Sequence, residues 1–275
     1  MRPTPQSSIQ ATALAAVAYL ATFGLGIYIS VVMLVKDVTS NANSSPVDEL
    51  IFHVFLTGLG LLLGYSATQT LGRTWVLEWV QGRRPRTPGS GIFSAGAALS
   101  ALLLGYWTIG PFLSNSYTRV SEADGALAIA AVDAFVGAGV AEEFIVLALP
   151  VVLLRGIAPS MLQGRHFALI LGVLVCLRMA YHLYYGWFAL TLLPWALVVS
   201  LVYLRWGQVW PLVIEHTVYN TALATIRAEL LGREAALTLL SVVAGSCLIT
   251  GSLLMSHHRK TAQPAGCSSG ARGND

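Results

Sequence analysis

One stretch of the chain decides the fold: residues 126–154 read ALAIAAVDAFVGAGVAEEFIVLALPVVLL. This run exceeds the about 20 apolar residues that a helix needs to cross the ~30 Å hydrocarbon layer of a bilayer. It also contains Asp133, Glu142 and Glu143, and carboxylates are costly inside a membrane. The stretch therefore predicts a membrane-spanning helix that carries a polar site.

The composition of the whole chain agrees with a membrane protein. Of its 275 residues, 55% are hydrophobic and only 11% are charged, whereas soluble domains carry about 25% charged residues. This balance excludes an ordinary soluble enzyme, a disordered chain and a nucleic-acid-binding module. The three cysteines are widely separated, so they form neither a disulfide framework nor a zinc-ligand spacing.

Seven further apolar runs accompany the first one. Runs of this length lack the alternating pattern of a membrane β-barrel, so they predict helices. We expect an all-α fold, a polytopic membrane bundle of about eight transmembrane helices. The additional runs are residues 9–35, 49–71, 92–113, 167–185, 188–204, 209–226 and 235–255.

The distribution of basic residues predicts the orientation of the bundle, because cytoplasmic loops are enriched in Lys and Arg. With the N-terminus inside, only four basic residues fall in outer segments, namely Lys36, Arg119, Arg227 and Arg233. Most of the others fall in inner segments, among them Arg73, Arg83, Arg84, Arg86, Arg155, Arg165, Arg205, Arg259 and Lys260. Both termini are therefore expected in the cytoplasm.

Two segments outside the spans have a character of their own. In the loop 73–91, Trp75 and Trp79 recur at helical spacing before a cluster of arginines. This pattern suits an interfacial helix on the inner leaflet, although an ordinary basic loop explains it equally well. The tail 257–275 is polar and Gly-rich and is expected to be disordered. Residues 1–125 then form an N-terminal three-helix region, residues 126–226 a core, and residues 227–256 the last transmembrane helix.

Polar and ionisable residues occur in four of the predicted spans, the second, fourth, fifth and seventh. Spacing of four places two of them on one face of the fifth helix and two on one face of the seventh. The least costly arrangement turns these faces toward Glu142 and Glu143. Those two glutamates should diverge by about 100° on an α-helix, so we expect different roles for them. The other members of this constellation are Arg178, His182, His216 and Asn220.

This constellation is able to hydrolyse a peptide bond. A buried carboxylate can act as a general base on water, with help from one imidazole. The second imidazole and the carboxamide could stabilise an oxyanion. Alternatively, two histidines and one or two glutamates could hold zinc with a water in the open position. The His-Glu-x-x-His signature of zinc proteases is missing, and both routes stay open.

Other polar residues of the spans suit structural roles. Arg178 is expected to be a charge partner of Glu143 or Glu142. Glu215 lies near the predicted inner interface, where it would be solvated or paired with Arg205. Asp133 is ambiguous, and His53 is expected to be a boundary residue.

The polar residues resemble three motifs of the CPBP intramembrane proteases, the CAAX-protease and bacteriocin-processing family also called Abi proteins. The three motifs are Glu142-Glu143, an x-x-x-His element that ends at His182, and His216-x-x-x-Asn220. The resemblance covers about residues 137–224. It implies a multi-pass protein of the bacterial cytoplasmic membrane that cleaves a peptide or membrane-protein substrate near the cytoplasmic side of the lipid bilayer, with no nucleic-acid partner.

The resemblance also implies roles for individual residues. Glu142 would activate water with the assistance of His182, and Glu143 would be the supporting carboxylate. His216 and Asn220 would stabilise the oxyanion. Members of the family have been described both as metalloproteases and as metal-independent glutamate proteases. A divalent metal such as zinc, if present, would be held by Glu142, His182 and His216.

Two positions depart from the motifs of the family. Leu147 occupies the Arg position of Glu-Glu-x-x-x-Arg, and Arg178 occupies the Phe position of Phe-x-x-x-His. We hypothesise that Arg178 replaces the missing arginine from the facing helix. Because of these departures, a catalytically silent scaffold or a bacteriocin-immunity protein stays an alternative interpretation of the chain. A proton-coupled transporter is less favoured, because the chain shows no repeat symmetry.

The predicted boundaries create a conflict of depth. They place His216 about 10 Å and His182 about 22 Å from the cytoplasmic ends of their helices, at 1.5 Å per residue. The two imidazoles can meet only if the fifth helix tilts strongly or begins deeper than residue 167.

Overall fold

The structure is a computed structural model that describes residues 3–36, 46–72, 87–113 and 127–262. Every regular element in these ranges is helical. In chain order the α-helices are α1 (Pro5–Lys36), α2 (Pro46–Gln69), α3 (Ser90–Thr108), α4 (Gly110–Leu113), α5 (Leu127–Asp133), α6 (Leu149–Ile157), α7 (His166–Ala180), α8 (Leu193–Trp206), α9 (Trp210–Arg227) and α10 (Arg233–Ala262). A π-helix and two 3-10 helices complete the set, at Ala134–Ala148, Pro159–Leu162 and Leu183–Leu192.

Six helical segments of the described chain are long and apolar enough to cross a membrane. Four of them belong to α1, α2, α3 and α10, and two are composite helices, Leu127–Ile157 and Leu183–Trp206. The α7 helix is apolar but shorter, and α9 carries the polar residues of the third motif. The chain is therefore an integral, multi-pass, all-α membrane protein. The number of eight spans and the cytoplasmic location of both termini stay predictions.

The composite helix Leu127–Ile157 lies at the centre of the bundle. Its middle part, Ala134–Ala148, is π-helical, a wider helix with i→i+5 hydrogen bonds that often occurs at functional sites. Gly139 brings this part close to α9, because a Cβ at Gly139 would lie 2.5 Å from Thr217 Oγ1 and 3.1 Å from the Val213 carbonyl oxygen. The close approach sets the distance between the two glutamates and His216.

The helical structure is interrupted between the predicted fifth and sixth helices, and the predicted boundaries of both are wrong there. The α7 helix ends at Ala180, and Tyr181 and His182 form a turn before the 3-10 helix. Within that 3-10 helix Gly186 has φ 61° and ψ −144°, a conformation that L side chains rarely adopt. The fifth helix thus ends earlier than residue 185, and the sixth segment begins at Leu183.

The imidazoles of His182 and His216 do meet, since both lie within 4 Å of Glu142 Oε2. The α7 helix begins at His166, so a start deeper than residue 167 is not what brings them together. The 3-10 helix and α8 together form the composite helix that follows.

Two predicted segments lie wholly or partly outside the described residues. Of the loop 73–91, residues 73–86 are outside, and α3 begins at Ser90. The α10 helix continues to Ala262, so residues 257–262 are helical and the expectation of disorder for them is wrong. The rest of the tail, residues 263–275, is outside the described ranges.

Candidate active site

Glu143 and Arg178 form the most regular contact of the site. The Arg178 guanidinium donates from Nη1 to Glu143 Oε1 at 2.7 Å and from Nη2 to Oε2 at 2.9 Å. Both side chains are fully buried, with 0% exposure. A two-point, charge-assisted contact of this kind fixes the plane of the carboxylate. The predicted charge partnership of Arg178 is thereby confirmed, with Glu143 as the partner.

Glu142 has a different set of neighbours, and they converge on one oxygen. The Tyr181 hydroxyl donates to Glu142 Oε2 at 2.7 Å. Nε2 of His182 lies 3.6 Å from the same oxygen, and Nε2 of His216 lies 3.8 Å from it. Both distances exceed that of a hydrogen bond. The two imidazoles therefore surround the Glu142 carboxylate without binding to it directly.

The two ring nitrogens of His216 face different carboxylates. Its Nδ1 lies 3.2 Å from Glu143 Oε1, whereas its Nε2 faces Glu142. Because Glu143 is ionised by its pairing with Arg178, it can only accept, so Nδ1 carries the hydrogen. The Nε2 atom of a neutral His216 then presents its lone pair toward Glu142, and that of a charged His216 presents a donor.

The π-helix explains how two adjacent glutamates can both lie near His216. A π-helix has more residues per turn than an α-helix, so successive side chains diverge by less than the about 100° of an α-helix. The expected divergence was therefore too large. Their surroundings differ, since Arg178 holds Glu143 while Tyr181 binds Glu142; the different roles expected for them stay a prediction.

Trp195 contacts several members of the site, and its role there is not predicted from the sequence. The Arg178 guanidinium lies 4.6 Å from the centroid of its ring, and the His216 ring meets it edge-on at 4.6 Å between centroids. Trp195 Nε1 donates to Glu215 Oε2 at 3.3 Å. A tryptophan in an apolar run carries no sequence signal that separates this role from that of a core residue.

The surroundings of Glu215 differ from those expected from the sequence. Its side chain is buried, with 3% of the residue exposed, so it is not the solvated residue that was expected. In the part of the chain that the structure describes, Glu215 Oε1 has no hydrogen-bond partner. Glu215 is thus a third carboxylate beside the site, attached to it through Trp195.

His182 lies beside Glu142 but is not held there by a hydrogen bond. His182 is 6% exposed, and both of its ring nitrogens lack a hydrogen-bond partner among the described residues. Buried polar atoms are normally paired, so the ring is suited to bind a water molecule or a substrate atom. Asn220 lies one helical turn after His216 and is half-buried.

Other polar residues of the spans lie away from this site. His53 Nδ1 lies 2.6 Å from Asp133 Oδ1, so the expected boundary histidine and the ambiguous aspartate are a pair. Leu147, at the position where the family has arginine, is fully buried in the apolar core. Its side chain cannot replace the charge that Arg178 supplies.

The donor set for a metal was expected to be Glu142, His182 and His216. Glu142 Oε2 already accepts a hydrogen bond from Tyr181. Within the four described ranges, no three His, Cys, Asp or Glu side chains form a group that could hold a metal ion. Among the described residues Glu142, His182 and His216 do not form a preformed donor group, and we derive no step through a metal.

Comparison with known proteins agrees with this part of the chain. The family model described as "Type II CAAX prenyl endopeptidase Rce1-like" matches residues 124–222. This segment contains all six members of the constellation. No curated protein and no solved structure gives a significant match. The resemblance of the chain to the CPBP/CAAX protease family is therefore confirmed, and it rests on residues 124–222.

Proposed function

We propose that the chain is an intramembrane endopeptidase that hydrolyses a peptide bond of a membrane-associated substrate with activated water. The observation that carries the proposal is the convergence of the His182 and His216 Nε2 atoms on Glu142 Oε2, at 3.6 and 3.8 Å. These separations leave the carboxylate and the imidazoles free to share a water molecule. The match to a CAAX protease family supports a membrane protease.

In the proposed reaction, Glu142 is the general base. It takes a proton from water as the water oxygen attacks the carbonyl carbon, while His182 orients the water. The new C–O bond forms as the carbonyl electrons move to the oxygen, and the resulting oxyanion accepts hydrogen bonds from Nε2–H of a charged His216 and from the Asn220 carboxamide. Glu142 then gives its proton to the amide nitrogen as the C–N bond breaks. The products are a carboxylic acid and an amine, and transfer of the acid proton to the amine gives a carboxylate and an ammonium.

Glu143 is a positioning residue in this scheme. Its contact with His216 Nδ1 keeps the imidazole in one orientation, with Nε2 directed at the reacting centre. Arg178 holds Glu143 through two hydrogen bonds. In this way an ion pair that touches no substrate determines the geometry of a residue that does. The same logic holds the histidine of a serine-protease triad in its working tautomer.

The membrane setting proposed for the enzyme rests on its long apolar helices, and the bacterial setting is what the family resemblance implies. We propose that it works in the bacterial cytoplasmic membrane, with both termini in the cytoplasm. A bilayer excludes water around the site, which strengthens each electrostatic contact within it. The substrate would be a peptide or a membrane protein that enters between helices.

A test uses purified protein in vesicles with candidate membrane substrates. Glu142→Ala and His216→Ala should each abolish peptide release while the helical content stays unchanged. Glu234→Ala, on the first turn of α10 and outside the site, is the matched control and should keep wild-type activity. A metal analysis of the active preparation separates metal-dependent from metal-independent hydrolysis.

The phenotype of the two variants in cells, and a transport assay in the same vesicles, distinguish the alternatives. If both variants keep the biological phenotype of the wild type, the protein is a catalytically silent scaffold or an immunity factor, as the departures at Leu147 and Arg178 would allow. If substrate moves across the vesicle membrane in response to a proton gradient, the protein is a transporter. Either result contradicts the proposed peptidase.

A further inference from the structure

The two ends of the described bundle differ in charge. At one end lie the end of α8, the start of α9 and the start of α3, and Gln208 Nε2 donates to Ser90 Oγ there at 3.1 Å. The described charged residues of this end are all basic, namely Arg155, Arg165, Arg205, Arg259 and Lys260. The opposite end contains the acidic residues Asp48, Glu49, Asp133, Glu229 and Glu234, together with the basic residues Lys36, Arg227 and Arg233. By the positive-inside rule, the basic end faces the cytoplasm.

A cleft opens at this basic end between α6, α7 and α8. Its volume is about 270 Å³, slightly below the about 300–1,000 Å³ of typical ligand pockets. Arg155 and Arg205 line it, and no acidic residue does. The remaining wall is largely apolar and includes Leu162, Phe167 and Trp206. The cleft thus joins a positively charged part to a hydrophobic part.

The positive charge of the cleft is held in place by the fold. Arg155 is half-buried, and its guanidinium lies 6.0 Å from the centroid of the Tyr203 ring. Tyr203 itself is fully buried. Arginine stacked on a fixed aromatic ring loses less side-chain freedom when it binds a ligand than a fully mobile one does. Trp206, in the wall, is of the residue type that lies at the headgroup level of membranes.

We infer that this cleft binds the headgroup of an anionic phospholipid of the inner leaflet. The phosphate would lie between Arg155 and Arg205, and the start of an acyl chain would lie along Leu162 and Phe167. The inner leaflet carries anionic lipids, and basic pockets between transmembrane helices bind their headgroups. The volume suits a headgroup and is too small for a folded partner. The inference does not depend on the proposed peptidase activity.

The test measures lipid retained by the full chain. Protein is reconstituted in vesicles of phosphatidylcholine mixed with phosphatidylglycerol, released in mild detergent and analysed by native mass spectrometry. The wild type should retain phosphatidylglycerol in preference to phosphatidylcholine. Arg155→Gln and Arg205→Gln should each weaken this retention about fivefold, the effect of one basic residue near an anionic surface. Arg155→Lys should keep most of it.

Arg259→Gln is the matched control, because Arg259 is exposed at the same end but lies outside the cleft. It should retain lipid like the wild type. Arg205 is also exposed, so Arg205→Gln is expected to fold even if Arg155→Gln does not. Equal retention of both lipids, or an unchanged preference in Arg205→Gln, would overturn the inference. Binding of inorganic phosphate alone as tightly as phosphatidylglycerol would also overturn it, since the site would then accept any free phosphate.

Discussion

Arg178 holds Glu143 through two parallel hydrogen bonds of 2.7 and 2.9 Å, and both side chains are completely buried. In the family motif, the arginine follows the glutamates on the same helix. Here it comes from α7, the facing helix, while Leu147 occupies the usual position. The guanidinium of Arg178 thus pairs with a glutamate of the first motif from the facing helix.

Removal of this guanidinium should destabilise the protein. Arg178→Leu leaves the Glu143 charge buried without its partner, and breaking a buried pair in this way costs about 3–5 kcal/mol. We expect a lower unfolding midpoint in detergent, together with loss of peptide cleavage. Arg178→Lys should be intermediate, because an ammonium cannot make the two-point contact.

A second substitution makes this prediction specific to the charge. Arg178→Leu combined with Leu147→Arg should recover part of the stability and activity, since it restores the arrangement of the family motif. A single Arg178→Leu variant with the full activity and stability of the wild type would contradict the role assigned to Arg178.

Glu142→Gln should separate catalysis from folding. Glutamine keeps an oxygen that can accept the Tyr181 hydroxyl, but it cannot take a proton from water. We expect a fall in the rate of cleavage of at least about 100-fold, the usual contribution of a general base, with an unchanged unfolding midpoint. Glu234→Gln, outside the site, is the control for the change of charge. A Glu142→Gln enzyme with at least a tenth of wild-type activity would sink the assignment of Glu142 as base.

Trp195→Phe tests the link between Glu215 and the site. Phenylalanine keeps an aromatic face toward Arg178 and His216 but removes the hydrogen bond to Glu215. A buried acceptor left unpaired costs about 1–3 kcal/mol, so the unfolding midpoint should fall. Adding Glu215→Leu should restore part of it, because the unpaired carboxylate is then gone. Trp187→Phe, at a position that is 64% exposed, should have little effect, and equal effects of the two tryptophan changes would refute the link.

Gly139→Ala tests the close approach of the π-helix and α9. The added methyl group would lie 2.5 Å from Thr217 Oγ1, and overpacking of this kind costs about 1–3 kcal/mol. Thr217→Ala in the same chain should relieve part of the loss. The control is Gly172→Ala on α7, where nothing lies within 4 Å of an added Cβ; it should be neutral or stabilising by up to about 1 kcal/mol. Similar unfolding midpoints for the two alanine variants would contradict the close packing.

Much of this architecture is readable from residue type and spacing. The apolar runs predicted helices, and the cost of charge in a membrane predicted that Glu143 and Arg178 would meet. The i, i+4 spacing placed His216 and Asn220 on one face of α9. These inferences succeed because they depend on local periodicity and on the solvation of charge, which the sequence contains directly.

Other features depend on how the helices rotate and break against each other. The π-helix changes the relative direction of Glu142 and Glu143, and no local pattern announces it. The turn at His182 interrupts an apolar run that predicts a continuous helix to residue 185. Tyr181, Trp195 and Glu215 join the site only through tertiary packing, so the sequence could not distinguish them from an interfacial aromatic belt, a core residue and a solvated acid.

The most direct test of the account is where the oxygen of water goes during a single turnover. Cleavage in ¹⁸O-labelled water, with mass analysis of the product and of the enzyme peptide that contains Glu142, follows that oxygen. Attack by water activated by Glu142 predicts one label in the new carboxylate of the product and none in Glu142. Label in the Glu142 side chain would mean that this carboxylate itself attacked the substrate as a nucleophile, and it would contradict the proposed mechanism.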